Sequence, residues 1–378
     1  MPYDLTEEQR QVYRETSRRS QQRKIELLQH AIDNVHQNEV TYEPRLNPAT
    51  LMPRLEDNEL RALSLFSGGG GLDLGFERAG FRHVASYELL EIGAKTLSTN
   101  RPEWTVYGGD AGDVRNVDWE KYRGLVDVIH GGPPCQPFSI AGRQAGINDP
   151  RNMWPEFVRS VLEIRPRAFV AENVPGLLDE KFSDFVNTFI LSPLREFYSI
   201  TKFVLKADDF GVPQARRRVF FVGFLNEVAA QRFLIPTPTH GEDLNLLPRN
   251  TARHALGLED IGFDCLVPTL RSGFTGPRNT TSVVNSKASM IIWNNLQIWP
   301  HGVQKSRAQA VVYPPENGHH RLAGSDCGIL QGFPEDWFFD GAAYQILGQI
   351  GNSVCPPVAY AVATSVAAAL RDQNDRTG

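Results

Sequence analysis

The sequence predicts an α/β fold with a doubly wound, mostly parallel sheet and a smaller second domain of irregular or β character. Two observations carry this. Short apolar runs alternate with helical stretches from Ala62 to about Phe233, which is the texture of linked βαβ units. That texture then stops. Pro236, Pro238, Pro248 and many Asn, Thr and Gly residues follow without clear helical periodicity to about His320.

Residues 1–60 form a polar N-terminal extension and linker. Thr6 to Gln37 reads as a helix with Val12, Ile25, Leu27, Leu28, Ala31, Ile32 and Val35 as its apolar positions. Tyr42 to Pro48 reads as extended linker. Basic residues cluster at Arg18-Arg19 and Arg23-Lys24. A solvated accessory helix is the plainer reading, and a DNA or partner contact the sharper one. Strands are expected at 62–66, 83–87, 125–129, 168–171 and 219–224. Helices are expected at 72–79, 92–99 and 152–164. An Ala-rich helix from Pro357 to Leu370 would return to cover the first domain. The expected organisation is therefore 61–235, completed by 341–378, with 236–340 as the second domain.

A length of 378 residues allows one large domain or two ordinary ones. No run approaches the roughly 20 apolar residues of a membrane span. The N-terminus has no basic-then-apolar signal pattern, so a cytoplasmic protein is expected. Cys135, Cys265, Cys327 and Cys355 are scattered, so neither a metal site nor a disulfide framework is indicated. A net charge of −5 does not advertise nucleic-acid binding. The local distribution does. From Cys265 to Pro315 there is no Asp or Glu, while Arg271, Arg278, Lys287, Lys305 and Arg307 occur with Trp293, Trp299, His301 and Tyr313 between them. That composition suits a polyanion surface.

The most informative stretch is Gly131-Gly132-Pro133-Pro134-Cys135-Gln136-Pro137-Phe138-Ser139. It follows the expected strand 125–129 and presents one thiol in a restrained turn beyond a strand's carboxyl end. That is where open α/β sheets do their chemistry. Phe66-Ser67-Gly68-Gly69-Gly70-Gly71 sits between the first strand and its helix. It favours a nucleoside cofactor at the helix N-terminus, but it misses the third glycine of a dinucleotide fingerprint and does not name the cofactor. Glu88, just past the second strand, is placed to bind ribose hydroxyls. Asp110, in Gly108-Gly109-Asp110, is suited to an adenine amino group. Glu172 ends another core strand, where desolvation favours its protonated form. Arg216, Arg217 and Arg218 open the strand 219–224. Alternation sends Arg216 and Arg218 to one side, toward a carbonyl-rich or anionic substrate.

Together these residues resemble the DNA cytosine-5 methyltransferases of the bacterial restriction–modification type. The resemblance covers 61 to about 235 and 321 to 370. It rests on Phe66 to Gly70, Pro133 to Gln136, Glu172-Asn173-Val174, Gln214 to Arg218, Leu330-Gln331-Gly332-Phe333-Pro334, and Gln349-Ile350-Gly351-Asn352-Ser353-Val354, in the family's order. One departure precedes Leu330. The family's usual Thr-x-Arg-Glu is here Ala323-Gly324-Ser325-Asp326, in an element that organises the recognition domain.

The resemblance implies a Rossmann-like S-adenosylmethionine-dependent domain, with S-adenosylhomocysteine as product and 236–340 as target recognition domain. Phe66 would face the adenine, with Ser67, Gly68 and Gly70 in the donor loop. Glu88 would hold ribose and Asp110 the adenine amino group. Trp154 and Val354 would wall the pocket, with Pro134 and Asn352 near the methionine part. Cys135 would attack cytosine C6, Glu172 would bind N3 and the amino group, and Arg218, helped by Arg216, would hold O2. The base would be flipped out of duplex DNA, with Gln136 filling the gap or meeting the orphan base and Ser139 binding a phosphate. Arg271, Arg278, Asn279 and Thr280 fall in the expected base-reading region. A monomer is expected, with a cognate restriction endonuclease as functional partner. The same chemistry on a tRNA cytosine, a catalytically silent DNA-binding homologue and a nicotinamide-dependent oxidoreductase are the competing readings.

Overall fold

The computed structural model describes residues 42–134, 152–274, 279–313, 315 and 317–371, with scattered helical, exposed positions between Glu7 and Glu26. The sheet has seven strands: β1 (Arg61–Leu65), β2 (Arg82–Glu88), β3 (Val106–Gly108), β4 (Val128–Gly131), β5 (Ala168–Asn173), β6 (Ser199–Lys206) and β7 (Arg217–Phe224). Their order is β3-β2-β1-β4-β5-β7-β6. The first five pair in parallel, and β7 runs antiparallel to both β5 and β6. The main helices are α1 (Gly71–Arg78), α2 (Glu91–Asn100), α3 (Trp154–Ile164), α4 (Lys287–Asn295), α5 (Gly324–Gln331), α6 (Ala343–Asn352) and α7 (Pro356–Leu370).

Side-chain alternation divides the sheet's two faces. Ala62, Val128, Val170 and Val222 pack beneath α1 and α7. Leu63, Ile129, Phe169 and Phe221 pack beneath α3. Both faces are covered, as parallel strands require. Val358, Val362, Val366 and Leu370 of α7 are buried, each contributing roughly 1.5–3 kcal/mol relative to exposure. Small residues bring α7 close to α1: a methyl group on Gly75 would sit 2.5 Å from the Ala359 Cβ. Ala343–Leu370 is the one described stretch apolar and long enough to cross a membrane, and most of it is buried inside the fold.

The expected strand at 125–129 is displaced to 128–131, because Leu125 is exposed and Asp127 instead receives the Arg61 backbone and side-chain N–H groups. β3 and β6 were not expected. The former is only three residues long, and β6 is an edge strand with few buried side chains.

Residues 236–340 are less β-like than expected. Ser286 caps α4 through a reciprocal pairing with Ser289, and the described strands there, Val267–Pro268, Ile298–Gln304 and His320–Ala323, form only two-stranded pairings. Trp293 is fully buried, so it supports a core and does not face a ligand. The segment after Tyr42 is not a free linker. Its Arg45 and Leu46 N–H groups both donate to Ala255 O, and Leu55 N–H donates to Arg78 O.

Asp326, the departure from the family motif, is a buried hub. It accepts from Tyr42 Oη at 3.0 Å, Arg307 Nε at 2.8 Å and Ala323 N at 2.8 Å, with His320 Nε2 at 3.6 Å. Burial pushes its carboxyl upward, but His320 and Arg307 hold it below the ordinary carboxylate range. Arg307 also pairs with Glu335. This arginine, counted from sequence toward a polyanion surface, is therefore engaged internally.

His130 lies within β4, buried and stacked on Phe76 at 4.1 Å. Burial pushes its pKa down to about 4, against the opposing charge of Asp73. The unfolded chain protonates this imidazole near its ordinary value and the folded chain does not. Stability should therefore be intact above pH ~6.5 and fall as pH drops toward the folded pKa, by about 3 kcal/mol from this group. Urea unfolding of wild type and His130→Leu at a series of pH values checks this. The variant should lack that part of the acid loss.

Candidate active site

The sheet order reverses between β1 and β4, so the loops leaving these strands diverge and open a crevice at their carboxyl ends. A cavity of about 440 Å³ lies there, within the range of small-ligand sites. Its wall comes from the ends of five parallel strands in turn: Phe66 to Gly68 after β1, Glu88 to Leu90 at β2, Gly112 to Arg115 after β3, Gly132 to Pro134 after β4, and Glu172 at β5. Gly351 to Val354, between α6 and α7, closes one side.

One end of the cavity suits a nucleoside. The buried Glu88 accepts from Gly68 N at 2.6 Å and Leu90 N at 2.8 Å. Burial pushes its pKa up, and those two N–H groups oppose the shift. Phe66 takes a left-handed backbone conformation, φ +56°, as β1 ends, a costly geometry for a non-glycine residue. Gly68 also has positive φ, and a Cβ there would meet only Phe66 O, at 4.0 Å. Its backbone is therefore open to a ligand. Ser67 lines the cavity and its Oγ lies 2.8 Å from Ser64 Oγ.

The other end is acidic and cationic at once. Glu172 and Arg218 meet because β7 is antiparallel: its first residues lie beside the carboxyl end of β5, on the same face. Arg218 Nε is 2.8 Å from Glu172 Oε1. Burial pushes the Glu172 pKa up, while Arg218 and Arg216 pull it back; the net direction is upward. Pro134 lines the cavity immediately before Cys135 in the chain. The Pro133 carbonyl accepts from Asn173 Nδ2 at 3.0 Å, which ties this loop to β5. Cys135, Gln136, Ser139 and Arg278 lie outside the described residues.

Four expected positions fall elsewhere. Asp110 is exposed and does not line the cavity. Asp113 does, three residues on, where a second short helical turn begins. Arg115 holds the Asp113 carboxylate below its ordinary range, with Nη2 2.5 Å from Oδ2. Trp154 points into the core against Phe157 and Phe221, and Met153 takes the cavity position at the start of α3. Gly70 does not reach the cavity. Its φ is +85° and a Cβ would sit 2.7 Å from both Leu97 and Trp337, so its role is close packing. Arg216 is buried and donates from Nη2 to Gly351 O at 3.0 Å and Ser353 O at 2.7 Å. Alternation does put it on the side of Arg218, and both act on Glu172, but its guanidinium is taken up by the turn between α6 and α7 rather than facing the cavity.

The family model for C-5 cytosine-specific DNA methylase matches residues 60–368. The chain belongs to the C-5 cytosine-specific DNA methylase family. It is similar to the Type II methyltransferase M.NgoMIV of Neisseria gonorrhoeae, 35% identical over 84% of this chain and 100% of that protein. Similarity to the Type II methyltransferase M.FnuDI of Fusobacterium nucleatum is 31% over 83% and 96%. Among solved structures, a DNA modification methyltransferase encoded within an Escherichia coli prophage aligns with TM-score 0.56 at 25% identity, over 81% of this chain and 98% of that one. The enzyme is thus a DNA cytosine-5 methyltransferase, and DNA is its substrate.

In this methylase the described residues expected to read bases, Arg271, Asn279 and Thr280, do not line the cavity, and the Arg271 segment sits next to it. Arg271 is exposed, its backbone N–H donating to Val283 O. Thr280 N–H donates to Gly273 O, beside Asn279. A Cβ on Gly351 would sit 2.6 Å from the Ser272 backbone, so the Arg271 segment abuts the cavity wall. Sequence reasoning missed Leu89 and Leu90, which line the cavity although both are half exposed. Two apolar residues just beyond a strand end, with no core to enter, were the available signal.

Proposed function

We propose that the enzyme methylates C5 of a cytosine flipped out of duplex DNA at one short sequence, by way of a covalent Cys135–C6 adduct. The single observation that carries this reading is one cavity with a nucleoside-suited end at Glu88 and a buried Glu172–Arg218 pair at the other, next to Pro134. S-adenosylmethionine fits the first end and, when bound, supplies an electrophilic methyl group. Phe66, Leu89, Leu90 and Val354 offer apolar walls to its base. Glu88 offers acceptors to ribose hydroxyls, and Asp113 takes the adenine-amino role first expected of Asp110.

The chain's own groups perform the rest. Cytosine C5 is too weak a nucleophile alone. The Cys135 thiolate adds to C6, and the C5=C6 electron pair moves to C5, making it enamine-like. Glu172, held toward its protonated form by burial, donates to N3 and steadies the charge that develops on the ring. Arg218 orients Glu172 and is placed to reach O2. Once C5 carries the methyl group, a base removes the C5 proton. That electron pair re-forms C5=C6 and expels the thiolate. Residues 236–340, with Arg271, Asn279 and Thr280 described and Arg278 beyond the described residues, read the sequence as the recognition domain. Host protection beside a restriction endonuclease, action as a monomer, and a cytoplasmic setting complete the proposal.

DNA carrying 5-fluorocytosine tests the adduct. Fluorine at C5 leaves no proton to remove, so elimination of the thiolate fails. A denaturant-stable protein–DNA complex should accumulate with wild type and not with Cys135→Ser. Release of fully methylated product without any trapped complex would contradict the covalent route. Glu88→Ala should weaken S-adenosylhomocysteine binding by about 30- to 100-fold, the scale of losing charge-assisted hydrogen bonds to two hydroxyls. Calorimetric titration of the two proteins measures it.

A further inference from the structure

Two buried glutamines join the base-reading segment to the cavity wall. Gln214 and Gln331 are both 0% exposed. The Leu270 N–H, one residue before Arg271, donates to Gln214 Oε1 at 3.0 Å. Gln214 Nε2 donates to Gln331 Oε1 at 2.8 Å and to Leu330 O at 3.0 Å. Gln331 Nε2 donates to Ser353 O at 2.7 Å. Ser353 lines the cavity between Asn352 and Val354. Donors thus run in one direction through two amide side chains, from the recognition segment to the cofactor wall.

The surroundings hold this chain of bonds at both ends. Gln214-Ala215 pairs in parallel with Val267-Pro268, and Thr269 Oγ1 donates to Ala215 O at 2.7 Å. At the far end Arg216 clamps the Gly351 and Ser353 carbonyls. Buried amides are costly when half satisfied, so each glutamine favours the arrangement in which both neighbours are in place. A shift of the Leu270 backbone is felt at the Ser353 carbonyl, because the two intervening side chains are fully buried and hydrogen-bonded to each other.

We infer that Gln214 and Gln331 are positioning residues that couple recognition of the DNA sequence to the cofactor site. They touch neither base nor cofactor. They set the register between the segment that reads bases and the wall that borders the methyl donor. The inference rests on the reading of 236–340 as the recognition domain and of the cavity as the donor site.

The test compares wild type, Gln214→Met, Gln331→Met and the double variant. Three quantities are read: the share of 5-methylcytosine at sites one base away from the preferred sequence, the KM for S-adenosylmethionine, and the urea midpoint. Each single variant should raise the off-sequence share and the cofactor KM by about tenfold, the scale expected when contacting residues act as a unit. Saturating cofactor should restore kcat to within about threefold. The double variant should be no worse than the worse single one. Effects that multiply in the double variant, or a lowered urea midpoint with unchanged discrimination, would show two separate packing residues and overturn the inference. If a methionine variant does not fold, Gln331→Asn keeps an amide but falls a methylene short of Ser353 O and should give the same loss. Wild type that methylates no DNA overturns the proposed function and this inference together. Wild type that methylates one sequence, with variants as selective as itself, overturns the inference alone.

Discussion

Cys135→Ser is expected to lower methyl transfer by at least about 10⁴-fold while leaving S-adenosylhomocysteine binding within a few-fold of wild type. Removing the nucleophile of an enzyme that works through a covalent intermediate costs on this scale or more. A serine hydroxyl is far less ionised than a thiol at neutral pH, so addition to C6 nearly stops. Binding is spared because the nucleoside end of the cavity is built from Glu88 and the walls around it, across from Pro134. Single-turnover transfer of labelled methyl groups, with calorimetry on the same samples, measures both quantities. Equal loss of transfer and binding would instead indicate a collapsed loop.

Glu172→Ala should cost about 10²- to 10⁴-fold in kcat/KM, the span for a positioned proton donor that also stabilises developing charge. Glu172→Gln should retain part of this activity, since an amide N–H can still meet N3. The pH profile separates the two roles. Burial raises the Glu172 pKa above its ordinary value, so the protonated donor persists further up the pH scale and is lost as pH rises through the folded pKa. Wild type should therefore show an alkaline decline in kcat/KM that Glu172→Gln lacks. Arg218 needs its own control, since losing Glu172 leaves a guanidinium with little solvent beside it. A urea midpoint near that of wild type shows that the rate effect is not an unfolding effect.

The sheet was legible in the sequence wherever strands are buried on both faces. The runs at 62–66, 83–87 and 168–171 are short and mostly apolar where helices cover the sheet, and the positions just beyond them hold the site. Glu172 could be placed because an acid ending a core strand has few uses. β6 was not legible, since an edge strand with few buried positions carries almost no period. Asp110 and Asp113 could not be told apart. Both follow a glycine, and only the two short helical turns decide which carboxylate faces the cavity. Trp154 and Met153 differ by one position at a helix start, where about 100° of rotation separates core from cavity. Alternation put Arg216 on the side of Arg218, but the Gly351 and Ser353 carbonyls that take up its guanidinium come from a turn far along the chain. The helix α4 was hidden within residues 236–340 because its stability comes from the Ser286 cap and the buried Trp293 rather than from a long apolar period.

Methyl transfer from labelled S-adenosylmethionine to unmethylated duplex DNA, with every modified base mapped by sequencing and its chemistry identified, decides between C5 methylation and the alternatives. 5-Methylcytosine is expected at one short sequence and nowhere else in quantity, lost in Cys135→Ser. Methylation of an exocyclic amino group, transfer to RNA alone, or no transfer by protein that demonstrably binds the cofactor would contradict this expectation.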